Sequence, residues 1–338
     1  MLKALVAVAI ATPFAVGAAV ADPGPVEQAV CAFTDPAINE SSGLVVRDDT
    51  MLTVNDSGDT ARVFLVDRDD CSTTSQVAYP GGARDVEAIA PAARGERAVW
   101  VADIGDNRHA RHDLVVVRVP FDGSATERYP VSWQGGPQDA ETLMVHPVTG
   151  RLYTVTKGVL GGQVLRGPAT LDQGGNVFKP VGETRGLITD GAFFPDGKHF
   201  LLRNYDTAYL YDTAAMTSLG DFDLPSQQQG EGLAIGPDGR IYLSSEGVHA
   251  PVLRIRLPAG LQQALDGDAT AEGDASKEPE EDASAGPGSD RVTDGHSPDQ
   301  SSDQSSEEDS DPDPWPWIIG GMFGLGAVVV LLRALRPR

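Results

Sequence analysis

The sequence is poor in the residues that build metal clusters and nucleophilic active sites. Its 338 residues include two cysteines and six histidines, and no His-bearing motif stands beside either cysteine. The motifs Gly-x-Ser-x-Gly, His-Glu-x-x-His and a phosphate-cradling Gly-Lys-Ser/Thr loop do not occur. Their absence argues against the commonest hydrolase, metalloprotease and nucleotide-binding interpretations.

Basic residues are also scarce. The chain has 26 Lys and Arg against 49 Asp and Glu, for a net charge of -23. The segment 259–314 holds 17 of the acidic residues and only Lys277 and Arg291, so it carries -15 of that charge. The rest of the chain is mildly acidic and has no basic stripe, which argues against a nucleic-acid partner.

The two ends of the chain predict export and membrane anchoring. Residues 1–21 have one basic residue, an apolar run and a closing Ala19-Val20-Ala21, the pattern of a cleaved signal peptide. Residues 315–333 contain an uncharged run long enough to cross a bilayer as one helix. Arginines in the tail 334–338 favour a cytoplasmic C-terminus, so we expect a single-pass cell-membrane protein whose N-terminal domain is extracellular.

The segment 259–314 is rich in Asp, Glu, Ser, Pro and Gly and nearly lacks large apolar residues. Such a composition cannot bury enough surface to offset the entropy of an ordered chain. We therefore predict a disordered, self-repelling acidic stalk between the extracellular domain and the membrane.

Both cysteines, Cys31 and Cys71, lie in the part of the chain that is predicted to be exported. An even pair in an oxidising compartment favours a disulfide bond over free thiols. No neighbouring motif suggests a metal site or a nucleophile.

Residues 22–258 repeat a pattern of short apolar strands. The first strand of each repeat falls at 42–46, 87–90, 141–145, 190–194 and 231–235, at spacings of 41 to 54 residues. A turn and two further strands follow each time, and helical periodicity is scarce. Four strands per 40 to 50 residues is typical of a β-propeller blade, so we predict an all-β propeller followed by the transmembrane helix.

Five blades is the predicted number, with six as the alternative because the stretch 158–189 has room for irregular strands. The fifth repeat has no outer strand before residue 258. Residues 26–33 precede the first inner strand, and we expect them to supply the missing strand and close the ring.

Polar residues recur where each inner strand begins. Because inner strands line the axis of a propeller, these residues predict a ring formed by Ser42, Glu87, Glu141, Asp190 and Glu231. Glu40, Asp85 and Asp139 stand two positions before three of them, on the same strand face. A second polar set ends the following strands and includes Asn55, Asp56, Asp103, Asp106, Asn107, Lys157, Arg203 and Glu246.

Converging carboxylates repel one another unless they are protonated, hydrogen-bonded or neutralised by a cation. One hypothesis is a Ca²⁺ site, with Glu87, Glu141 and Glu231 as ligands, because Ca²⁺ takes six to eight oxygen ligands. The alternative is structural, with each carboxylate accepting backbone N–H groups of the next blade and with Lys157 and Arg203 balancing part of the charge.

Several segments resemble a group of poorly characterised bacterial exported propellers that carry esterase-like or WD40-like labels. They are Asn39–Leu44, Asn55–Asp59, Asp85–Ala90, Ala102–Asn107, Ala140–Glu141, Thr156–Gly158, Gln229–Glu231 and Ser245–Gly247. The resemblance implies a propeller, here in a membrane-anchored member, and implies little about activity. More distantly, the acidic axis is similar to that of Ca²⁺-dependent propeller lactonases and phosphoesterases, whose His bases have no match here.

Two functional hypotheses follow. The leading one is a binding or sensing module that is displayed at the cell surface and meets a cell-envelope or extracellular ligand. The alternative is a Ca²⁺-dependent extracellular hydrolase of lactones or phosphoesters, with Asp56, Asp103 or Glu246 as general base.

Overall fold

The computed structural model of this chain describes residues 28–93, 95–122 and 124–274. Short runs rich in Val, Ile, Leu, Thr and Tyr, separated by turns with Gly, Pro and Asp, form strands throughout. The predicted signal peptide, the transmembrane helix, the cytoplasmic tail and most of the predicted stalk lie outside these residues. In the part of the chain that the structure covers, no helix has the length and apolar character needed to cross a membrane.

Twenty strands in the described ranges form five four-stranded antiparallel units, which we call blades I to V. The first strand, β1 (Gln28–Ala32), belongs to the last blade. Blade I contains β2 (Ser41–Arg47), β3 (Thr50–Asn55), β4 (Arg62–Asp67) and β5 (Thr73–Ala78). Blade II contains β6 (Val86–Pro91), β7 (Ala98–Asp103), β8 (Val115–Pro120) and β9 (Glu127–Trp133).

The remaining blades follow the same order from inner to outer strand. Blade III contains β10 (Met144–Val145), β11 (Leu152–Val155), β12 (Gln163–Arg166) and β13 (Asn176–Glu183). Blade IV contains β14 (Asp190–Phe193), β15 (His199–Arg203), β16 (Thr207–Asp212) and β17 (Thr217–Asp223). Blade V contains β18 (Gly232–Ile235), β19 (Ile241–Ser244) and β20 (Pro251–Ile255), and β1 completes it by pairing with β20.

Apolar side chains pack between each pair of neighbouring blades. The described core divides into five clusters, which join blades I and II, II and III, III and IV, IV and V, and V and I. The cluster between blades V and I includes Phe33, Phe64 and Tyr242. Sheets that pack face to face in a closed circle give a propeller-like fold, with β2, β6, β10, β14 and β18 around the axis.

The sequence repeat therefore predicted the architecture correctly. The five inner strands lie where the first strand of each repeat was expected, and β1 supplies the outer strand that the fifth repeat lacks. The six-blade alternative is wrong, because residues 158–189 hold only β12 and β13. One pairing was not expected: β13 and β9 pair in parallel at Asn176–Val131 and so join the outer edges of blades II and III.

The predicted disulfide is present between Cys31 and Cys71. Cys31 lies in β1 of blade V, and Cys71 lies in the turn between β4 and β5 of blade I. The bond therefore joins the first and last blades covalently, beside the apolar cluster that they share.

A helix, α1 (Ala259–Asp274), follows the last blade. Leu261 and Leu265, which are one helical turn apart, pack against the apolar cluster of blades IV and V. Leu261 lies close to Gly220 of β17. The first residues of the predicted stalk are thus helical in the structure, and two leucines anchor the start of this acidic segment.

We predict that the double variant Cys31→Ser/Cys71→Ser unfolds more easily than the wild type. The bond closes a loop of 40 residues, and its loss should lower the free energy of unfolding by about 2–4 kcal/mol through the greater entropy of the unfolded chain. Denaturant unfolding measures the difference, and wild-type protein in reductant serves as the control. Equal midpoints for all three samples would contradict a stabilising role.

Candidate functional site

The channel along the ring axis has two chemically different ends. Its apolar end is a cavity of about 180 Å³ between the inner strands, lined by residues such as Leu44, Ile89, Leu143 and Leu233. The inner strands begin at the other end. The acidic residues singled out in the sequence lie there, and this end is the candidate site.

Antiparallel pairing explains why these residues converge. The start of each inner strand lies opposite the end of the second strand, as in Asp190 opposite Arg203 and Val86 opposite Asp103. Both polar sets therefore meet at one end of the channel. We call this end the mouth, and its residues are Glu40, Asp56, Asp85, Glu87, Asp139, Glu141, Lys157, Tyr205, Glu231 and Glu246.

Three carboxyl groups form the closest acidic cluster of the mouth. One oxygen from each of Asp56, Asp85 and Glu87 lies within 4.8 Å of the others. Asp56 comes from the end of β3, whereas Asp85 and Glu87 come from the start of β6, so the cluster spans blades I and II. The backbone of Gly105 lies against it, since a Cβ atom there would collide with Glu87 Oε1 and Asp85 Oδ2. A larger residue there would require these two carboxyl groups to shift.

Burial raises the pKa of each member of this cluster, and neighbouring carboxylates add to the rise. Burial raises the pKa of Glu87 to about 9, and the charges of Asp56, Asp85 and Asp139 add to the effect. Burial likewise raises the pKa of Asp56 to about 6 and raises that of Asp85. These three carboxyl groups are costly to ionise in the absence of a cation. A hard divalent cation would stabilise their ionised forms.

A second acidic pair lies across the mouth in blade V. The carboxyl group of Glu231 is hydrogen-bonded to that of Glu246. Burial, the charge of Glu246 and this hydrogen bond, in that order of size, together raise the pKa of Glu231 to about 8. Burial also raises the pKa of Glu246, but the hydrogen bond from Glu231 opposes the rise. The hydrogen bond therefore favours the neutral form of Glu231 and the ionised form of Glu246.

Lys157 supplies positive charge inside the mouth. Its ammonium group forms a salt bridge with Glu141, and its backbone N–H donates to Asp139 O at 2.8 Å. Its charge lowers the pKa of Glu87 and Glu231, against the larger effect of burial. Glu141 is thus paired with a cation, whereas the cluster of Asp56, Asp85 and Glu87 has no basic side chain in salt-bridge contact within the described ranges.

Asp103 and Asp106 have structural partners. The Asp103 carboxylate accepts the N–H groups of Arg84 and Asp85 at 2.9 and 3.2 Å and a guanidinium N–H of Arg111 at 2.7 Å. Asp106 accepts the N–H groups of Ala110 and Arg111 at 2.9 and 3.0 Å. These bonds shape the loop between β7 and β8, and in Asp103 they occupy most of the acceptor sites of the carboxylate.

Asp190 and Arg203 hold blades IV and V together. Asp190 Oδ2 accepts the N–H of Leu233 in the next blade at 2.6 Å, even though complete burial raises its pKa well above the ordinary value. The fully buried Arg203 donates through Nη1 to Gly232 O at 3.1 Å. Ser42 similarly donates to Glu87 O of the next blade at 3.0 Å. The structural alternative for the repeated polar residues therefore applies to this part of the ring.

The structure brings together a different ligand set from the one predicted. Of Glu87, Glu141 and Glu231, only Glu87 belongs to the cluster; Glu141 pairs with Lys157, and Glu231 pairs with Glu246. Glu40 lies in the mouth, where its charge raises the pKa of Asp56 and Glu246, but Asn107 is exposed in its loop. The separation arises because each inner strand stands on its own side of the channel.

Sequence reasoning missed Tyr205 and Arg111. Tyr205 faces Glu231, Glu246 and Glu87 across the mouth, and burial, followed by these charges, raises its pKa. Arg111 neutralises Asp103 and lowers the pKa of Asp85. Each comes from a loop rather than from the repeated strand positions, so the repeat contained no signal for it.

No protein-family model matches this chain, and no curated protein matches it. Among solved structures it is similar to the glutaminyl cyclase of Myxococcus xanthus, with a TM-score of 0.45 and 14% sequence identity. The alignment covers 69% of this chain and 97% of the cyclase. Similarity at this level says nothing about the activity of the present chain.

The raised pKa of Glu87 predicts that stability falls as the pH rises. Its carboxyl group is protonated in the folded protein up to about pH 9, whereas an unfolded glutamate has a pKa of 4.5. Its contribution is complete below the unfolded pKa and is lost as the pH rises through the folded pKa, at up to about 1.4 kcal/mol per pH unit. Glu87→Gln, which stays neutral, should flatten the profile and be more stable than the wild type at high pH in chelator.

Urea unfolding between about pH 5 and pH 9 measures this profile. Glu183→Gln, an exposed change in β13, is the matched control and should follow the wild type. A Glu87→Gln profile parallel to that of the wild type would mean that Glu87 is ionised in the folded protein.

Proposed function

We propose that this protein is a Ca²⁺-dependent extracellular hydrolase of lactone or phosphoester bonds, with its active site in the mouth. The observation that carries the proposal is the cluster of Asp56, Asp85 and Glu87, whose oxygens lie within 4.8 Å of one another and whose pKa values are all raised. Placed side by side, these carboxyl groups supply oxygen ligands for a hard cation.

A bound cation would supply Lewis acidity, which polarises the carbonyl or phosphoryl oxygen of a substrate. The protein would supply the oxygen ligands that hold the cation. Asp56, Asp85 and Glu87 offer oxygen atoms from two blades, and the backbone of Gly105 closes one side of the cluster. Deprotonation of Glu87 would accompany binding, since a carboxylate and not a carboxylic acid is the preferred ligand.

The pair of Glu231 and Glu246 supports proton transfer. In this proposal Glu246 accepts a proton from the water that adds to the carbonyl carbon or phosphorus. Glu231 gives its proton to the leaving oxygen as the C–O or P–O bond breaks. Two neighbouring carboxyl groups whose environments separate their protonation states are suited to these opposite roles. Tyr205 faces both glutamates and is placed to contact the substrate.

The second candidate is a surface binding or sensing module. The observation that favours it is the structural use of several acidic residues, since backbone N–H groups occupy the carboxylates of Asp103, Asp106 and Asp190. In that case the mouth would bind a cell-envelope or extracellular ligand without turnover. In both cases we propose that residues 259–314 project the domain from a single span at 315–333, with α1 attached to the domain.

The cation site predicts stabilisation by calcium. At a hundredfold excess over its Kd, calcium should stabilise the folded protein by about 2.7 kcal/mol, or roughly 5–10 °C in Tm for a domain of this size. Asp56→Asn and Glu87→Gln should lose most of that shift. The exposed change Asp221→Asn in β17 should keep it. A wild-type Tm that is unmoved by both millimolar calcium and chelator would exclude the cation site.

The acid–base pair predicts loss of turnover without loss of calcium binding. On a panel of lactones and phosphoesters, Glu246→Gln should lower kcat by about 10²–10⁴-fold because it removes the proton acceptor. Glu183→Gln should turn over at the wild-type rate. If the wild type binds calcium but hydrolyses no member of the panel, the binding module becomes the better interpretation.

A further inference from the structure

Among the described residues, the large apolar side chains that are exposed on the face of the ring around the mouth come from three neighbouring blades. They lie in the loops that follow the second strands of blades III, IV and V: Val159 is 76% exposed, Leu160 98%, Tyr205 39% and Val248 53%. Each belongs to the mouth or is close to it in the chain, since Val159 is two residues beyond Lys157 and Val248 two beyond Glu246. We call these four residues the apolar rim.

The corresponding loops of blades I and II are polar. Blade I presents Asp56-Ser57-Gly58-Asp59, and blade II presents the exposed Asn107, Arg108, His109 and His112. The carboxyl cluster of Asp56, Asp85 and Glu87 lies on this polar half. The mouth face is therefore divided, with the oxygen-rich cluster on one side and the apolar rim on the other.

We infer that the mouth takes an amphipathic small molecule, whose oxygen-bearing head meets the cation site and whose aliphatic or aromatic tail lies on the apolar rim. This inference rests on the proposed function and names the substrate class within it. The substrate would be an ester, lactone or phosphoester with an apolar tail, rather than a small polar ester or a sugar phosphate.

An apolar tail is expected to bind the apolar rim because leaving large apolar side chains in water costs free energy. Seven large apolar side chains are exposed in the described residues, and four of them form the rim. The other three, Val148, Val177 and Leu219, lie on the opposite face or on outer strands. Full burial of one methylene contributes about 0.8 kcal/mol, so a half-buried tail on the rim should gain roughly twofold in affinity per methylene.

Alkylphosphonates test the inference, because they offer phosphonate oxygens to the cation and cannot be hydrolysed as esters. Binding of methyl-, propyl- and hexylphosphonate to the full chain is measured by calorimetry with calcium and with chelator. In calcium, affinity should rise roughly twofold per methylene. The double variant Val159→Ser/Leu160→Ser should lose most of this dependence on tail length while keeping its affinity for methylphosphonate.

Val148→Ser is the matched control, since Val148 is 73% exposed in the hairpin between β10 and β11 on the opposite face. It should keep the wild-type dependence on tail length. Equal affinities of the wild type for the three phosphonates would overturn the inference. So would a gain in affinity per methylene in the Val159→Ser/Leu160→Ser variant that equals the gain in the wild type. Ester turnover that does not depend on tail length would overturn it while leaving the proposed hydrolase intact. Tail-dependent binding without turnover of any ester would support it while removing the hydrolase.

Discussion

Closure of the ring is the constraint on which the rest of the structure depends. Each blade has two apolar faces, and each face is buried only because a neighbouring blade packs against it. Blades V and I are distant in sequence, so their contact needs its own support. The strand β1, the Cys31–Cys71 bond and the apolar cluster around Phe33 provide it together. An open arrangement would leave two apolar faces in water, and the inner strands would no longer share an axis.

The acidic mouth is a consequence of that closure. Five inner strands that begin on one side bring their polar residues together, although carboxylates repel one another and lose hydration there. The protein compensates in different ways around the ring. Asp103 and Asp190 accept N–H groups, Glu141 pairs with Lys157, and Glu231 shares a proton with Glu246. Within the described residues the cluster of Asp56, Asp85 and Glu87 makes no salt bridge to a basic side chain, and it is the part of the mouth where we propose a cation site.

If the proposed function holds, the division of the mouth face separates chemistry from recognition. The strand positions, which repeat, supply the carboxyl groups, whereas the loops after the second strands do not repeat and differ from blade to blade. Blades I and II contribute polar loops, and blades III to V contribute Val159, Leu160, Tyr205 and Val248. A rigid ring with variable loops can thus hold a fixed reactive centre and still select its ligand by the shape and polarity of one rim.

The sequence by itself determined the propeller-like repeat, the closing strand and the disulfide, because all three depend on local strand patterns and on the pairing of two cysteines. It also placed Glu87, Glu231 and Glu246 at one end of the axis. The tertiary structure decided which of these groups are neighbours. Glu87 lies with Asp56 and Asp85 and not with Glu141 or Glu231, because the distances across the channel depend on how the blades pack. The partners of Asp103, and the roles of Tyr205 and Arg111, likewise come from loops whose course the repeat does not encode.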